Sequence, residues 1–444
     1  MKKRALVATV ISLVICVLFS SCDSVDIIRP VDSLLSPPLY HEEYESLVEA
    51  FHEKVSKNVL FCSPKKGDHR SAIIVEDVDA DGEEEAIIFY KDGVDSSVAR
   101  MHYFDIINGK WMSRGDFNGY GNEVEKTVIT DMDGDGKSEF IVIWSISGVS
   151  SSNVMSVYRK SYNFDEYKEV SNEMCTVCEI LDIDGDLKEE IFFMNQTTVL
   201  GITQRFARVM KVSGDAVVLM GEAKVDPNIS SYTDVKTEKV SGDSPLKIYV
   251  DALKGESQMI TELVYWDSEK SELRAPLLDT ETMTNTATLR YEPIASSDIN
   301  NDGIIDIPVQ NEILGGEASA ENIYITKWQD YSADGMKTVA NTLINSADGY
   351  MLCLDDSELN STGIRNYSSQ NCWVVYRTNS KGDSVGELYS ILKISADRWN
   401  ADEFSAYIPI IEKDDGVVCA YITKSGANMG FDEEYITSRV TKIP

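Results

Sequence analysis

The sequence predicts a mainly β fold, most simply a β-propeller, and three observations support this prediction. An acidic loop recurs four times in the 444 residues. Each copy leads directly into a short apolar run of the kind expected for a buried strand. The copies are spaced by about 50 to 60 residues, or by twice that distance, which matches the period of propeller and solenoid repeats.

The four loops share oxygen-bearing side chains at positions 1, 3, 5 and 9, with Gly at position 6 in all but the third loop. Carboxylate and amide oxygens arranged in such a turn are the ligands that Ca²⁺ prefers. We therefore predict about four Ca²⁺ sites. Their ligands are Asp77, Asp79, Asp81 and Glu85 in loop 1, Asp131, Asp133, Asp135 and Glu139 in loop 2, Asp182, Asp184, Asp186 and Glu190 in loop 3, and Asp298, Asn300, Asp302 and Asp306 in loop 4.

An EF-hand begins with the same residues, but it needs a bidentate Glu at position 12 and a helix on each side. Position 12 is apolar in all four loops, where it is Ile88, Val142, Phe193 and Val309. The EF-hand is therefore excluded, and each loop is predicted to connect two strands.

The spacing of the loops predicts a fifth unit. Asp77 and Asp131 are 54 residues apart and Asp131 and Asp182 are 51 apart, but the interval from Asp182 to Asp298 is 116 residues. Alignment on the apolar strand places the missing copy at 239–247. There the ligands at positions 1, 3 and 9 are replaced by Lys239, Ser241 and Lys247. We interpret this copy as a unit that keeps the fold without the metal, with a lysine ammonium in the place of the ion.

Each unit carries further strand-like segments, about four strands in all with no helical pattern between them, as in a propeller blade. On these loops and strands, residues 60–340 resemble FG-GAP or VCBS repeats, the family that forms the β-propeller head of integrin α subunits. The resemblance implies Ca²⁺ in D-x-D-x-D-G-x-x-D/E loops. The FG and GAP signatures themselves are not recognisable, and five units are fewer than the seven of integrins. We predict about five blades over residues 59–340, with six or seven as alternatives.

Residues 1–21 resemble a bacterial lipoprotein export signal. Three basic residues precede an apolar run of about 15 residues, which is short for a spanning helix and typical of a signal peptide. Small residues precede Cys22, as in a lipobox, although Phe19 departs from the usual Leu. Cleavage would leave Cys22 as the lipidated N-terminus and residues 22–40 as a tether. A plain transmembrane anchor is the alternative.

Two further elements flank the predicted propeller. Residues 41–58 place apolar side chains at helical spacing, which predicts a helix that packs against the propeller. Residues 341–444 lack the loop motif and are predicted to form a separate α+β domain with a closing helix from Asp432 to Val440. This domain resembles the tail that accompanies such repeats in lipoproteins of Gram-positive anaerobes, and the resemblance brings no known activity.

Candidate catalytic groups are few. Gly382–Gly386 matches G-x-S-x-G, but a nucleophile elbow needs a strand-to-helix turn and a later histidine, and no histidine follows residue 102. Ser384 is therefore interpreted as a hairpin-loop serine. Among the cysteines, Cys353 and Cys372 are the preferred disulfide pair. A redox or zinc role for the C-x-x-C pair at 175–178 is disfavoured because no second pair or histidine is near it in sequence.

The net charge of −33 makes nucleic acid and anionic lipid poor partners. We predict a monomeric, extracytoplasmic protein that is anchored to the membrane through lipidated Cys22. It would act as a non-catalytic binding or scaffolding module for an unidentified protein or carbohydrate ligand. The alternatives are a surface polysaccharide hydrolase or lyase with its catalytic site in the C-terminal domain, and a structural component of the envelope.

Overall fold

The computed structural model describes residues 44–55, 58–93, 97–161, 166–238, 245–291, 293–314, 323–367, 372–400 and 402–444. Within these ranges the chain forms six antiparallel sheets and a few short helices, so the predicted mainly β class is confirmed. The predicted export signal, Cys22, the tether and residues 239–244 of the fifth unit lie outside the described residues.

Sheets 1 to 4 follow one another along the chain, and neighbouring strands are mostly consecutive in sequence. In sheet 1, β1 and β2 both pair with β3; its strands are β1 (Val59–Phe61), β2 (Ile73–Glu76), β3 (Glu85–Asp92), β4 (Arg100–Ile107) and β5 (Lys110–Asn118). Sheet 2 comprises β6 (Glu123–Thr130), β7 (Glu139–Ile146), β8 (Val149–Lys160) and β9 (Tyr167–Cys175). Sheet 3 comprises β10 (Val177–Leu181), β11 (Glu190–Val199), β12 (Ile202–Ser213) and β13 (Ala216–Val225). Sheet 4 comprises β14 (Ile229–Glu238), β15 (Lys247–Lys254), β16 (Gln258–Asp267) and β17 (Glu272–Arg274).

Sheets 5 and 6 hold the C-terminal part of the chain. Sheet 5 comprises β18 (Ile307–Ile313), β19 (Tyr324–Ser332), β20 (Gly335–Asn345), β21 (Tyr350–Cys353) and the last strand of the chain, β27 (Val440–Lys442). Sheet 6 comprises β22 (Thr362–Tyr367), β23 (Cys372–Thr378), β24 (Ser384–Ser395), β25 (Ile408–Lys413) and β26 (Gly416–Ile422). The helices are α1 (Glu45–Lys54), α2 (Asp356–Leu359), α3 (Lys424–Asn428) and α4 (Glu433–Arg439).

Each sheet shares a hydrophobic cluster with the next one. The strands that follow the acidic loops are buried on both faces, which explains why they read as apolar runs rather than as alternating patterns. Between sheets 1 and 2, for example, the rings of Phe89 and Trp144 meet edge to face with centroids 6.1 Å apart. The clusters at the later interfaces contain residues of both sheets: Ile141 and Phe193, Val209 and Val250, Tyr249 and Val309, and Leu343 and Val375.

Helix α1 lies against sheet 1. Leu47 and Phe51 are fully buried, and Phe51 contacts Tyr90 edge to face at 5.1 Å between ring centroids. The helix therefore covers the apolar face of the first sheet, in the position that its single apolar stripe predicts.

The C-terminal part of the chain is joined to sheet 5 by both backbone and core contacts. Strand β27 pairs with β21, and sheets 5 and 6 share one hydrophobic cluster with Ile436 of α4. The predicted domain boundary at residue 340 lies inside β20, a strand that pairs on both sides.

Candidate metal centres

Loops 1, 2 and 3 each lead into the buried central strand of a sheet from the strand just before it in the chain. They join β2 to β3, β6 to β7 and β10 to β11, which confirms the predicted strand–loop–strand arrangement. The acid at position 9 is the first residue of the strand that follows. Loop 4 precedes β18 and is closed by an antiparallel bridge between Ser297 and Asp306.

The backbone of all four loops makes the same hydrogen bonds. The N–H at position 2 donates to the acid at position 9, and these bonds are Val78–Glu85 at 2.8 Å, Met132–Glu139 at 2.9 Å, Ile183–Glu190 at 3.0 Å and Ile299–Asp306 at 2.9 Å. The N–H groups at positions 5, 6 and 7 donate to the side chains at positions 3, 1 and 5. Four stretches of different sequence therefore adopt one conformation.

Position 6 of every loop has a positive φ, the region that favours glycine. The angle is +90° at Gly82, +86° at Gly136 and +86° at Gly303. In loop 3 the residue is Leu187, with φ +71° and a side chain that is 90% exposed. The third loop thus has the same turn as the others, but the backbone of Leu187 is strained.

These hydrogen bonds leave one oxygen on each carboxylate at positions 3, 5 and 9 unused by the loop backbone. We call these the inner oxygens: Oδ2 at positions 3 and 5, and the second carboxylate oxygen at position 9. In loops 1 to 3, ligand oxygens from positions 1, 3 and 9 lie within 4.8 Å of one another, a grouping that could hold a metal ion. The loops differ in what reaches the inner oxygens.

In loop 1, Glu85 is 1% exposed, and its inner oxygen Oε1 has no hydrogen-bond partner among the described residues. Burial, with a smaller contribution from neighbouring carboxylates such as Asp79, raises the pKa of Glu85 to about 8. Lys160 bonds the inner oxygen of Asp79. A buried acceptor without a donor is the group that a cation would satisfy, so this loop could hold a metal ion.

In loop 2, one arginine reaches every inner oxygen. The Arg159 guanidinium bonds Asp133 Oδ2 at 2.7 Å, Asp135 Oδ2 at 2.9 Å and Glu139 Oε1 at 2.8 Å. Arg159 is only 2% exposed. Burial raises the pKa of Glu139 to about 7 in spite of the neighbouring guanidinium. This loop already contains a cationic group.

In loop 3, no side chain from the described part of the chain donates a hydrogen bond to the inner oxygens. Burial raises the pKa of Glu190 to about 7, and it also raises the pKa of Asp184. Lys188 of this loop donates to the backbone carbonyl of Asp133 in loop 2 at 2.5 Å, so the two loops are adjacent.

Loop 4 has a weaker ligand set. The Asn300 amide donates to Asp302 Oδ2 at 2.9 Å. Asp306 is fully buried, and its Oδ1 lacks a hydrogen-bond partner within the described ranges. Burial and the adjacent Asp330 carboxylate raise the pKa of Asp306 to about 8. Sequence reasoning missed Asp330, because it lies on β19, far from the loop motif.

The described end of the fifth unit carries a lysine in place of an acid. Lys247, at position 9, bonds Glu238 Oε1 at 2.7 Å and the carbonyl of Tyr331 at 3.0 Å. Glu238 also accepts hydrogen bonds from Tyr249 and from the Ile305 backbone. An ammonium–carboxylate pair therefore lies between sheets 4 and 5.

Outside the loops, the structure bears on the predicted disulfide and on the candidate catalytic groups of the C-terminal region. Cys353 and Cys372 are free thiols on sheets 5 and 6, so the preferred disulfide pairing is wrong; strand-like surroundings do not specify the Cα separation that a disulfide needs. In the C-terminal region Tyr435 donates to Glu358, but the other oxygen of Glu358 caps α2. The hydrogen bond between Tyr435 and Glu358 thus joins helices α4 and α2. Among the described helices, none is long and apolar enough to cross a membrane.

No family model matches the sequence, and no curated protein matches it either. Solved structures are weakly similar. They include a rhamnogalacturonan lyase from Bacillus licheniformis (TM-score 0.30, 11% identity, 73% of this chain and 76% of that chain) and a protein from Lactobacillus plantarum (TM-score 0.26, 7% identity, 73% and 86%). A third is Sqt1 from Chaetomium thermophilum (TM-score 0.29, 10% identity, 78% and 93%).

Proposed function

We propose that this chain is a calcium-stiffened β-propeller that acts as a non-catalytic binding or scaffolding module outside the cell membrane, anchored through lipidated Cys22. The observation that carries the calcium assignment is the Glu85 carboxylate. It is buried inside a group of ligand oxygens and has one acceptor oxygen without a described donor.

The proposed role of the ion is to fix the start of each central strand. In loops 1 to 3 the acid at position 9 is the first residue of that strand, and it is the most deeply buried member of the ligand set. Without a cation, ionising this acid is unfavourable, as the raised pKa of Glu85 and of Glu190 indicates. A bound divalent cation would favour the ionised acid and hold it against the carboxylates at positions 1 and 3.

The propeller arrangement is supported by a cavity of about 290 Å³ that several sheets share. Its lining includes Glu125, Cys178 and Tyr232 from the first strands of sheets 2, 3 and 4 and Lys66 of the segment before β2. The other strands of sheet 2 contribute Ile143, Asn153 and Cys175. First strands that converge on one cavity are expected when blades surround a common axis.

A second cavity, of about 230 Å³, lies between sheets 5 and 6. Tyr324 and Trp373 line it together with Gln310, Asn345 and Asn366. Concave sites that combine aromatic surface with a few polar groups are typical of small-ligand binding. We propose this cavity as a place for the carbohydrate or protein ligand.

Thermal unfolding with calcium and with a chelator tests the proposal. If loops of this kind bind at about 10⁻⁴ to 10⁻³ M, 10 mM Ca²⁺ should stabilise the fold by roughly 1.4 to 2.7 kcal/mol per site. With several sites we expect the midpoint to rise by about 5 °C. Asp184→Asn in loop 3 should reduce the rise, whereas Asp334→Asn, in an exposed turn outside the loops, should not. A midpoint that is the same with calcium and with chelator would refute the assignment.

A further inference from the structure

The second loop differs from the other described loops in having a guanidinium at its centre. All three of its inner oxygens bond to Arg159, at distances of 2.7 to 2.9 Å. In loop 1, Lys160 reaches the inner oxygen of Asp79, while that of Glu85 has no hydrogen-bond partner among the described residues. Contacts of this number and length are those of a built-in counter-ion rather than of a flexible surface arginine.

Arg159 enters the loop from the neighbouring strand of the same sheet. Tyr158 pairs with Phe140 across β7 and β8, so the next residue outward on β8 is Arg159 and the next on β7 is Glu139. Because antiparallel strands bring such residues close together, the residue opposite position 9 is placed at the metal ligands by the sheet register.

The other sheets place different residues near the acid at position 9. In sheet 1, Glu85 pairs directly with Asp105, which is 6% exposed. In sheet 3 the register leads to Lys211, which is exposed. In sheet 5 it leads to Asp330, beside Asp306. Among the loops that the structure describes in full, only the second has a buried cation at this cross-strand position.

We propose that Arg159 fills the cation position of loop 2, so that this loop is held by the guanidinium and does not bind calcium, while calcium binds at the other loops. The inference rests on the proposed calcium function of those loops. One divalent ion and a buried guanidinium cannot share one set of three inner oxygens without strong repulsion at close range. The cross-strand residue thus decides whether an acidic loop takes a free ion or a side-chain cation.

Counting bound calcium by equilibrium dialysis of the full chain tests the inference. Arg159→Met keeps an apolar stem at this position and removes the charge, so it should bind one calcium ion more per chain than the wild type. The double variant Arg159→Met with Asp133→Asn should lose that additional ion. Lys211→Met is the matched control, because it removes an exposed cation at the same cross-strand position of sheet 3, and its count should equal that of the wild type.

A separate measurement avoids any dependence on the stability of the arginine variant. In the wild-type chain, Asp133→Asn should leave the calcium count unchanged, whereas Asp184→Asn in loop 3 should lower it by one. A loss of one ion in Asp133→Asn would overturn the inference and leave the calcium function standing. A folded Arg159→Met chain without an additional ion would also overturn it. A wild type that binds no calcium, with Arg159→Met binding one ion, would refute the proposed calcium function of the other loops and still support the assignment of Arg159 to the cation position of loop 2.

Discussion

Leu187 offers a direct test of the conformation that the loops share. Its φ of +71° costs a non-glycine residue roughly 1 to 2 kcal/mol, and its side chain is 90% exposed, so Leu187→Gly removes strain without loss of packing. Glycine loses about 0.5 to 1 kcal/mol more chain entropy on folding, which offsets part of the gain. The net stabilisation should be about 0.5 to 1 kcal/mol, or close to 1 °C in the unfolding midpoint of a chain of this size.

Differential scanning calorimetry in the presence of chelator measures this gain. Gly136→Ala is the reciprocal control: φ is +86° there and no atom lies within 4 Å of an added Cβ, so the substitution should lower the midpoint by a similar amount through strain alone. Because Leu187 is strained without a bound ion, its replacement should leave calcium affinity within about twofold of the wild type. A lower midpoint for Leu187→Gly would show that the loop does not adopt the left-handed turn.

Two further predictions concern sheet 1. His102 is buried beside Ser113, and burial lowers its pKa from 6.5 to about 4. Between pH 4 and pH 6.5 the unfolded chain therefore binds more protons than the folded chain. The contribution of His102 to the free energy of unfolding is complete above pH 6.5 and is lost as the pH falls to 4, a loss of at most about 3 kcal/mol. Denaturant titrations of the wild type and His102→Gln at pH 7 and pH 4.5 should show the difference narrowing in acid; parallel pH profiles would contradict the burial argument. Phe51→Ala should lower the free energy of unfolding by about 3 to 5 kcal/mol, because it leaves a cavity between α1 and sheet 1. Glu49→Ala, at an exposed position of the same helix, should change it by less than about 0.5 kcal/mol. Equal effects of these two substitutions, measured by chemical denaturation, would show that the helix is not docked.

The loops and the strands next to them could be predicted from sequence because their causes are local. The hydrogen bonds that shape a loop connect residues at most seven positions apart, and the same side chains supply the motif and the acceptors. The central strands could be predicted for a similar reason. A strand that is buried on both faces appears in the sequence as a continuous apolar run, whichever strands it pairs with. The left-handed turn at position 6 is also determined within the loop. Leu187 shows that this turn forms even where the usual glycine is absent.

The occupant of a loop could not be predicted, because it depends on sheet register. Arg159 is 20 residues from Glu139, and the β-bulge between β7 and β8 shifts their pairing within that interval. A slip of one residue would turn Arg159 to the opposite face of the sheet and bring a neighbour toward the acid. Lys160 shows how much a shift of one residue changes, because this next residue along the strand bonds Asp79 of loop 1 instead of the acids of loop 2.

These two residues indicate how the acidic loops act as a set rather than as separate sites. On a β-strand, adjacent side chains point to opposite faces, so Arg159 serves the loop of its own sheet and Lys160 serves the loop of the preceding sheet. Lys188 continues the series, because it connects loop 3 to the backbone of loop 2. Each interface between the first three sheets is thus crossed by a lysine at the level of the loops. An ion bound at one loop would therefore also fix the position of its neighbour, and under the proposed function the stiffness of this end of the fold would depend on the whole series of side-chain cations and bound ions.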